Sequence, residues 1–337
     1  MKSVFSFSAS GRPSILAEGV ATVPSYRFCD IGANLQDDMF RGIYNGKQRH
    51  PDDLLSVLER AKCMGVQKNI VTAGCLSESS SALDFVSVLP QEYNLFTTAG
   101  VHPTRCNEFK KNPQDVVNQL SSIIDRGLEL NRIVALGECG LDYDRLHFCK
   151  KEQQIIGFQA QLDLADRYNL PMFLHDRNTQ GDCLAMITEN RSKMKGGGVV
   201  HSYTGTIEDM HAYIDLGFYI GVNGCSCKTD ENLAVVRDIP VERLLLETDA
   251  PWCGIKNSHA SMSKVITHFP NKKREKYEAG IMVKDRNEPC TIIQVLEVIA
   301  AIKEIDTVEL AEQIYQNTET LFFSSSTLNT DSKTSLS

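Results

Sequence analysis

The stretch LLLETDAPWCG (Leu244–Gly254) begins with three consecutive leucines and continues into acidic residues. A short apolar run that ends at turn residues predicts a strand of a parallel sheet that is buried on both faces. Glu247 and Asp249 would then lie at the end of that strand, where desolvation makes a charge expensive. Two explanations stay open at this point: the acids cap the next segment, or they hold a metal ion or take part in a reaction.

Short apolar runs of this kind recur between residues 26 and 323 and alternate with helical patterns. Clear helical periodicity occurs at Asp52–Cys63 and at Glu152–Tyr168. Eight strand–helix repeats predict a parallel (β/α)8 barrel, a TIM barrel, whose typical size is about 250 residues. A doubly wound open sheet is the alternative, but no glycine-rich phosphate loop follows the first apolar run. The predicted strands are Arg27–Ile31, Asn69–Thr72, Leu95–Ala99, Ile133–Leu136, Met172–Leu174, Val199–Val200, Phe218–Ile220 and Leu244–Leu246.

The two ends of the chain differ in composition from this core. Residues 1–25 are polar and rich in serine, with no apolar stretch long enough for a secretory signal, and residues 324–337 form a Ser/Thr-rich segment. We predict that both ends are disordered and that a single barrel occupies residues 26–323. No targeting signal is evident, and no window approaches the length of a membrane span.

Composition and charge argue against several classes of function. The formal net charge of −8 argues against a protein that holds nucleic acid through a broad basic face. The chain has eleven cysteines, which is an odd number. No two of them are separated by two residues, the spacing of a zinc knuckle. Their distribution does not fit a secreted disulfide framework. We therefore expect an intracellular, cytoplasmic or nuclear monomer with reduced cysteines and no membrane partner.

Side chains that commonly bind metal ions follow the predicted strands repeatedly. Active residues of such barrels lie at the C-terminal ends of the strands, so these side chains should meet at one barrel mouth. Two imidazoles and two carboxylates suit Zn²⁺, Mn²⁺ or Mg²⁺, with positions left for water and substrate. Each side chain alone has an ordinary structural explanation, but together they predict a metal site. The four residues are Glu138, His175, His201 and Asp249.

Six motifs occur in this order along the core: GVHP (100–103), GECGLD (137–142), HDR (175–177), HSYTG (201–205), ETDAP (247–251) and RNEP (286–289). They resemble those of the TatD-type deoxyribonucleases, which belong to the amidohydrolase-like metal-dependent hydrolases. The resemblance covers nearly the whole core and is closer to the eukaryotic branch. It implies a TIM-barrel nuclease that uses one or two divalent cations and trims DNA from the 3′ end. It also implies that Glu138 bridges two cations, that His175 and His201 complete one site, and that Asp249 binds metal and orients the attacking water.

The chain departs from the family pattern at two places. Many members have a D-x-H-x-H motif whose histidines hold one of two metals, but here the run Asp30–Asn34 has glycine and asparagine at those positions. One branch of the family shares this loss. We therefore predict one tight metal position and a weaker second one, with Asp30 and Asn34 as its environment. Asp176, where a cysteine is common, favours a hard cation such as Mg²⁺, with Mn²⁺ or Zn²⁺ as alternatives.

Three further residues are candidates for binding a DNA substrate. Arg177 could bind a phosphate in a bidentate manner, or form a structural ion pair with a loop carboxylate. His102 could contact a phosphate, protonate a leaving oxygen, or only hydrogen-bond within the core. Arg286 is a candidate substrate contact or a support of the rim of the site.

The insert of residues 254–284 follows the last predicted strand and would overhang the barrel mouth. Its basic cluster, Asn271–Tyr277, could steer a DNA backbone, with Phe269 or Tyr277 stacking on a base, or could be a solvated surface. Trp252, the single tryptophan, could line the pocket or pack beneath the loop.

The predicted function is metal-dependent hydrolysis of DNA phosphodiester bonds with a 3′–5′ exonuclease preference. The same site could hydrolyse another ester or an amide, such as an aminoacyl-tRNA linkage, because a metal ion and water serve both reactions. A barrel that binds DNA or a protein with little turnover is the non-enzymatic alternative, and the complete ligand set argues against it.

Overall fold

Eight parallel strands form one sheet at the centre of the molecule, in the order in which they occur along the chain. The structure is a computed structural model that describes residues 3–4, 6–7, 13–14 and 26–324. The strands are β1 Phe28–Ala33, β2 Val66–Val71, β3 Leu95–Ala99, β4 Ile133–Asp142, β5 Met172–Arg177, β6 Gly198–Val200, β7 Tyr219–Val222 and β8 Leu244–Leu246. Within these residues, seven α-helices connect successive strands, and two more follow β8. The helices are α1 Leu54–Cys63, α2 Leu76–Val88, α3 Pro113–Glu129, α4 Lys151–Tyr168, α5 Asp182–Glu189, α6 Ile207–Asp215, α7 Asp230–Asp238, α8 Ile292–Lys303 and α9 Thr307–Thr318.

The last strand returns to the first and nearly closes the barrel. Asp249 N donates to Gly32 O at 2.7 Å, and Asn34 N donates to Ala250 O at 2.7 Å. Ala33 and Ala250 also form a parallel bridge. The predicted (β/α)8 barrel is confirmed, and the open-sheet alternative is wrong. The closure also fixes the segment that follows β8 directly against β1.

The leucine run is a strand buried on both faces, as its composition predicts. Leu244 and Leu246 belong to the apolar layer between the sheet and the helices. The side chain of Leu245 points to the opposite face of the sheet, because side chains alternate along a strand. There it belongs to a second apolar cluster that includes Ile31 of β1 and Phe173 of β5. All three leucines are almost completely inaccessible to solvent.

Of the eight strands, β4 and β5 extend furthest beyond their predicted ends. β4 and β5 stay paired as far as Asp142 and Arg177, after a register shift between Phe173 and Leu174. Gly137 has φ +145°, and a Cβ there would lie 2.2 Å from Phe173 O, so only glycine allows the two strands to approach so closely. The GECGLD and HDR motifs therefore lie within β4 and β5 and not after them.

Several two-residue strands lie outside the barrel. Ser3–Val4 pairs with Thr267–His268, Ser6–Phe7 with Pro13–Ser14, Ile43–Tyr44 with Lys47–Gln48, and Asn271–Lys272 with Met282–Val283. The other residues of 1–25, and residues 325–337, lie outside the described residues, so the disorder of both ends stays a prediction. None of the described helices is long and apolar enough to cross a bilayer.

Candidate metal centre

A cavity of about 590 Å³ lies where the C-terminal ends of the strands meet. The four residues predicted as metal ligands, Glu138, His175, His201 and Asp249, all line this cavity at one mouth of the barrel. A larger groove of about 920 Å³ beside α7 and α8 contains none of them. The residues that line the smaller cavity are Asn34, His102, Glu138, Arg145, His175, Asp176, Arg177, His201, Ser202, Cys225, Asp249, Trp252 and Cys253.

Glu138, His175 and His201 contact one another directly. Glu138 Oε1 lies 2.7 Å from His175 Nδ1 and 2.8 Å from His201 Nε2. The two nitrogen atoms are 3.3 Å apart. Three possible ligand atoms, from β4, from β5 and from the residue after β6, therefore converge on one point.

A buried carboxylate lies behind each of the two histidines. Asp142 Oδ2 is 3.1 Å from His175 Nε2, and Glu247 Oε2 is 3.4 Å from His201 Nδ1. Both carboxylate side chains are 0% exposed. A carboxylate in this position accepts a hydrogen bond from the N–H of the nearer ring nitrogen and so fixes the tautomer of a metal-binding histidine. The other nitrogen of each ring then directs its lone pair toward Glu138.

This arrangement explains the two acids that follow the leucine run. Glu247 accepts hydrogen bonds from Ser202 N and from Asn223 Nδ2, the latter at 3.2 Å, and its second oxygen faces His201. Asp249, two residues further on, is partly exposed and lines the cavity. One acid orients a histidine from behind, and the other faces the space where a substrate would lie.

The three converging atoms fit a divalent cation. With the opposite nitrogens protonated, His175 Nδ1, His201 Nε2 and Glu138 Oε1 face one another as lone pairs, which repel unless a positive charge lies between them. The pKa of His201 also indicates that positive charge is favoured at this point. Burial lowers the pKa of His201, but Glu138 and Glu247 raise it by more, so that it lies well above its usual value. Two imidazoles and one carboxylate are ligands that Zn²⁺ and Mn²⁺ accept.

His102 is the fourth polar side chain of the cluster and precedes the short 3-10 helix Pro103–Lys110, which it caps. Its Nδ1 accepts a hydrogen bond from Thr104 N at 3.1 Å, so the neutral ring carries its proton on Nε2. That Nε2 lies 3.4 Å from Glu138 Oε1. Burial lowers the pKa of His102 to about 3, which keeps the ring neutral.

By distance alone His102 could also bind a metal, because it forms a group with Glu138 and His175 whose ligand atoms all lie within 4.8 Å of one another. The hydrogen bond from Thr104 favours the other role, a neutral donor that faces the cavity.

Asp249 lies at the seam between β8 and β1. Its Oδ1 accepts a hydrogen bond from Asn34 Nδ2 at 2.9 Å, and its Oδ2 accepts one from the Cys253 thiol at 3.1 Å. Thr72 holds Asn34 in turn, since its hydroxyl donates to Asn34 Oδ1 at 2.7 Å. Burial raises the pKa of Asp249 to about 6. Among the described residues Asp249 has no hydrogen bond to Glu138 or the two histidines, although all four line the same cavity.

Comparison with known proteins agrees with this geometry. Residues 29–323 match the family model described as TatD related DNase. The chain belongs to this family. The predicted resemblance is therefore confirmed.

Similar members of the TatD family include both fungal and bacterial proteins. A Schizosaccharomyces pombe protein named Deoxyribonuclease Tat-D is 45% identical over 303 residues, which cover 88% of this chain and 96% of that protein. An Edwardsiella piscicida protein named 3'-5' ssDNA/RNA exonuclease TatD is 32% identical over 296 residues, covering 87% and 98% of the two chains. The crystal structure of a hydrolase TatD family protein from Entamoeba histolytica is 38% identical, with a TM-score of 0.83 and coverage of 89% and 99%.

Two residues, Asp30 and Asn34, were predicted at the position of the missing D-x-H-x-H motif, and only one of them lines the cavity. Asn34 lines it, but Asp30 is fully buried and does not. Asp30 Oδ1 accepts hydrogen bonds from Thr248 N at 2.9 Å and from Gly32 N at 3.3 Å. Burial raises the pKa of Asp30 to about 8. Asp30 therefore anchors the segment after β8, and its prediction as part of a second metal position is wrong.

The two residues after His175 differ in what they can offer a ligand. Asp176 accepts hydrogen bonds from the hydroxyls of Thr179 and Tyr213, each at 2.6 Å and each on a different oxygen. Both of its oxygens are therefore engaged in hydrogen bonds that hold the side chain, and the preference for Mg²⁺ predicted from Asp176 gains no support. Arg177 lines the cavity and forms no ion pair with any residue that the structure describes. This favours phosphate binding over a structural ion pair.

Arg286 does not reach the cavity, contrary to its prediction as a substrate contact. Its guanidinium donates to both oxygens of Asp53 at 2.7 Å and to Glu288 Oε1 at 2.9 Å. Arg60 Nε donates to the other oxygen of Glu288 at 2.8 Å. All four side chains are at most 1% exposed. A guanidinium bound within a buried ion-pair network is not available to a substrate, so the prediction is wrong.

The RNEP motif supports the site through Asn287. Its Nδ2 donates to Thr248 O at 2.9 Å, and its backbone N donates to Pro251 O at 2.9 Å. These bonds lie on either side of Asp249, whose φ of +52° is unusual for a residue with a side chain. The motif thus holds the loop that presents Asp249.

The insert contributes less to the cavity than its basic residues suggest. No member of the cluster Asn271–Tyr277 lines the cavity. Phe269 is buried, and Tyr277 stacks on His50 with ring centroids 4.7 Å apart, so neither ring is free to receive a base. Trp252, in contrast, lines the cavity and is 50% exposed, which favours a wall of the pocket over packing beneath the loop.

Proposed function

We propose that this protein is a divalent-metal-dependent deoxyribonuclease that hydrolyses DNA phosphodiester bonds from the 3′ end. The observation that supports this most strongly is the convergence of Glu138 Oε1, His175 Nδ1 and His201 Nε2, with a buried carboxylate behind each histidine. The names of the fungal and bacterial relatives point to the same reaction on nucleic acid.

Glu138, His175 and His201 would hold the cation. When bound, a divalent cation lowers the pKa of water and polarises a phosphoryl oxygen. Two nitrogen ligands favour Mn²⁺ or Zn²⁺ over Mg²⁺, which prefers oxygen ligands. We therefore infer tighter binding of Mn²⁺ and Zn²⁺, while Mg²⁺ stays a candidate for the working metal because of its abundance in cells.

Asp249 is our candidate for the proton acceptor. Its pKa of about 6, raised by burial, lies near the range in which a general base works at neutral pH. Asn34 and Cys253 each bind one of its oxygens and so fix the orientation of the carboxylate. In this scheme Asp249 orients the attacking water and takes its proton. His102 donates from Nε2 to an oxygen of the phosphate.

The remaining residues of the cavity suit the rest of a DNA strand. Arg177 and Arg145 line the cavity and present guanidinium groups, which bind phosphate in a bidentate manner. Arg145 Nε lies 3.7 Å from Asp142 Oδ2, too far for a hydrogen bond, and its side chain is 45% exposed. Trp252 exposes an aromatic face on which a base could stack. We further infer an intracellular protein, because the odd number and scattered positions of the eleven cysteines do not fit a secreted disulfide framework. We propose that it acts as a monomer.

The deciding experiment uses chelator-stripped protein and DNA labelled at either the 3′ or the 5′ end. Single- and double-stranded substrates are incubated with Mg²⁺, Mn²⁺ or Zn²⁺ added separately, and an aminoacyl-tRNA is assayed beside them. We expect metal-restored release of the 3′ label and progressive shortening of the 5′-labelled strand. Hydrolysis of the aminoacyl ester without DNA cleavage would favour the other hydrolase function. Binding of DNA without turnover under every metal would favour the non-enzymatic one.

Replacing Trp252 with alanine should raise KM for single-stranded DNA by about tenfold, since a base stacked on an aromatic side chain contributes roughly 1–3 kcal/mol. The value of kcat should change little, because Trp252 contacts none of the converging ligand atoms. Steady-state kinetics measure both parameters. Ile266→Ala is the matched control, because Ile266 is similarly exposed at 47% but does not line the cavity. An unchanged KM in Trp252→Ala would exclude stacking at this position.

The affinity for single-stranded DNA should fall only gently with salt. Two arginines at the cavity correspond to about two phosphate contacts and a slope of about −1.4 in log K against log salt, at about −0.7 per contact. Binding titrations of the catalytically inactive protein between low and physiological salt give the slope. A slope steeper than about −4 would reveal a basic surface that this account lacks.

A further inference from the structure

Two cysteines face each other at the edge of the cavity. Cys225 lies in the loop after β7, and Cys253 lies four residues after Asp249. Their Sγ atoms are 2.6 Å apart. This separation is close to the ~2.05 Å of a disulfide bond. Both cysteines line the cavity and are partly exposed, whereas eight of the other nine are buried. An oxidant dissolved in water can therefore reach this pair.

The two loops are built to keep the cysteines together. Cys225 N donates to Asn223 Oδ1 at 2.8 Å, and Asn223 is itself buried. A Cβ at Gly224 would lie 2.0 Å from Cys253 O, so glycine is what lets the two loops approach at this point.

The pair is connected to the reaction chemistry through one hydrogen bond. The Cys253 thiol donates to Asp249 Oδ2 at 3.1 Å, while Asn34 donates to the other oxygen. A disulfide sulfur has no proton to donate. Oxidation of Cys253 would therefore remove one of the two donors that orient the Asp249 carboxylate.

We propose that Cys225 and Cys253 are a modification site, a dithiol that peroxide converts reversibly to a disulfide, and that this conversion reduces the activity of the neighbouring centre. Disulfides of this transient kind are the ones found in reducing compartments. The effect on activity rests on the proposed nuclease function, but the formation of the bond does not.

The chemistry needs a peroxide as oxidant and a thiol as reductant. The Cys225 thiolate attacks one oxygen of hydrogen peroxide, the O–O bond breaks, and a sulfenic acid and hydroxide result. The Cys253 thiolate then attacks that sulfur, the S–S bond forms, and the S–OH oxygen leaves as water once protonated. In total two thiols lose two electrons and two protons, and one peroxide becomes two waters. Thiol–disulfide exchange with a small thiol reverses the change.

The test treats the full-length protein with hydrogen peroxide, blocks the remaining thiols by alkylation, and maps peptides without reduction. We expect a peptide that joins Cys225 to Cys253 and a mass lower by two hydrogens than that of the reduced protein. Nuclease activity should fall by roughly fivefold, the effect of losing one modest hydrogen bond, and return after treatment with a thiol. The affinity for Mn²⁺ is measured on both forms as a readout that does not depend on turnover.

Cys225→Ser is the informative variant, because it removes the bond while Cys253 keeps its contact with Asp249. It should resist the reversible loss of activity, whereas the control Cys63→Ser, changed at the other partly exposed cysteine, should behave like the wild type. Absence of the joined peptide would overturn the proposal. Formation of the peptide with no change in activity would overturn the link to the site. If the protein shows no nuclease activity, the peptide map still decides whether the dithiol site exists.

Discussion

Replacement of Glu138 or His201 by alanine is expected to reduce hydrolysis to the level of the chelated protein while the fold stays intact. Each side chain supplies one of the three converging atoms, so either change leaves only two. The loss of metal affinity should exceed the roughly 10–100-fold cost of removing an outer carboxylate. Stability should persist because these side chains line the cavity and belong to none of the apolar clusters.

The measurements for these variants are metal affinity by calorimetry, cleavage of end-labelled DNA, and thermal unfolding. Asp142→Asn and Glu247→Gln are graded controls, since they keep all three ligand atoms and change only the groups behind His175 and His201. They should lose about 10–100-fold in metal affinity. Normal cleavage by both alanine variants would refute the assignment of the site.

Replacement of Arg286 by methionine should lower the free energy of unfolding by about 3–5 kcal/mol, because it leaves buried carboxylates without their partner. Asp53 loses two hydrogen bonds and Glu288 loses one, and both side chains are almost completely inaccessible to solvent. Denaturant unfolding followed by circular dichroism measures the change. KM at a temperature where the variant is folded should stay near the wild-type value.

Arg177→Met is the matched control for this charge deletion. Arg177 faces the cavity and has no ion-pair partner among the described residues, so its loss should leave stability unchanged and weaken DNA binding. If Arg286→Met were as stable as the wild type and had a raised KM, Arg286 would be a substrate contact, as its sequence context suggests, and the buried network would be the wrong explanation.

The barrel could be predicted because its strands are short apolar runs separated by helical patterns. The bounds of Leu95–Ala99 and Leu244–Leu246 agree with the structure. The C-terminal part of β4 could not be predicted in the same way, because it includes two glycines and two acidic residues in place of an apolar run. Those residues are held in the sheet by pairing with β5, which is a contact between distant parts of the chain.

The sequence predicts which residues form the metal cluster better than it predicts the role of each one. Residue type and position after strands identified Glu138, His175 and His201, but not which acid supports which histidine. Asp142 was missed, although its spacing of four residues from Glu138 places both on one face of β4. That spacing is the signal that could have found it.

Arginine residues show the limit of residue type as a guide. Arg177 and Arg286 both suggest phosphate binding, yet only one faces the cavity. The partner that removes Arg286 from this role, Asp53, is 233 positions away in the sequence. A single sequence carries no signal for such a contact, and the same holds for the approach of Cys225 to Cys253.

The most direct test of the metal centre is anomalous diffraction from crystals of the protein grown or soaked with Mn²⁺ or Zn²⁺. We predict a dominant peak about 2.0–2.2 Å from Glu138 Oε1, His175 Nδ1 and His201 Nε2, the distance range of nitrogen and oxygen ligands to Zn²⁺. A fully occupied metal elsewhere, with no peak between these three atoms, would contradict the account.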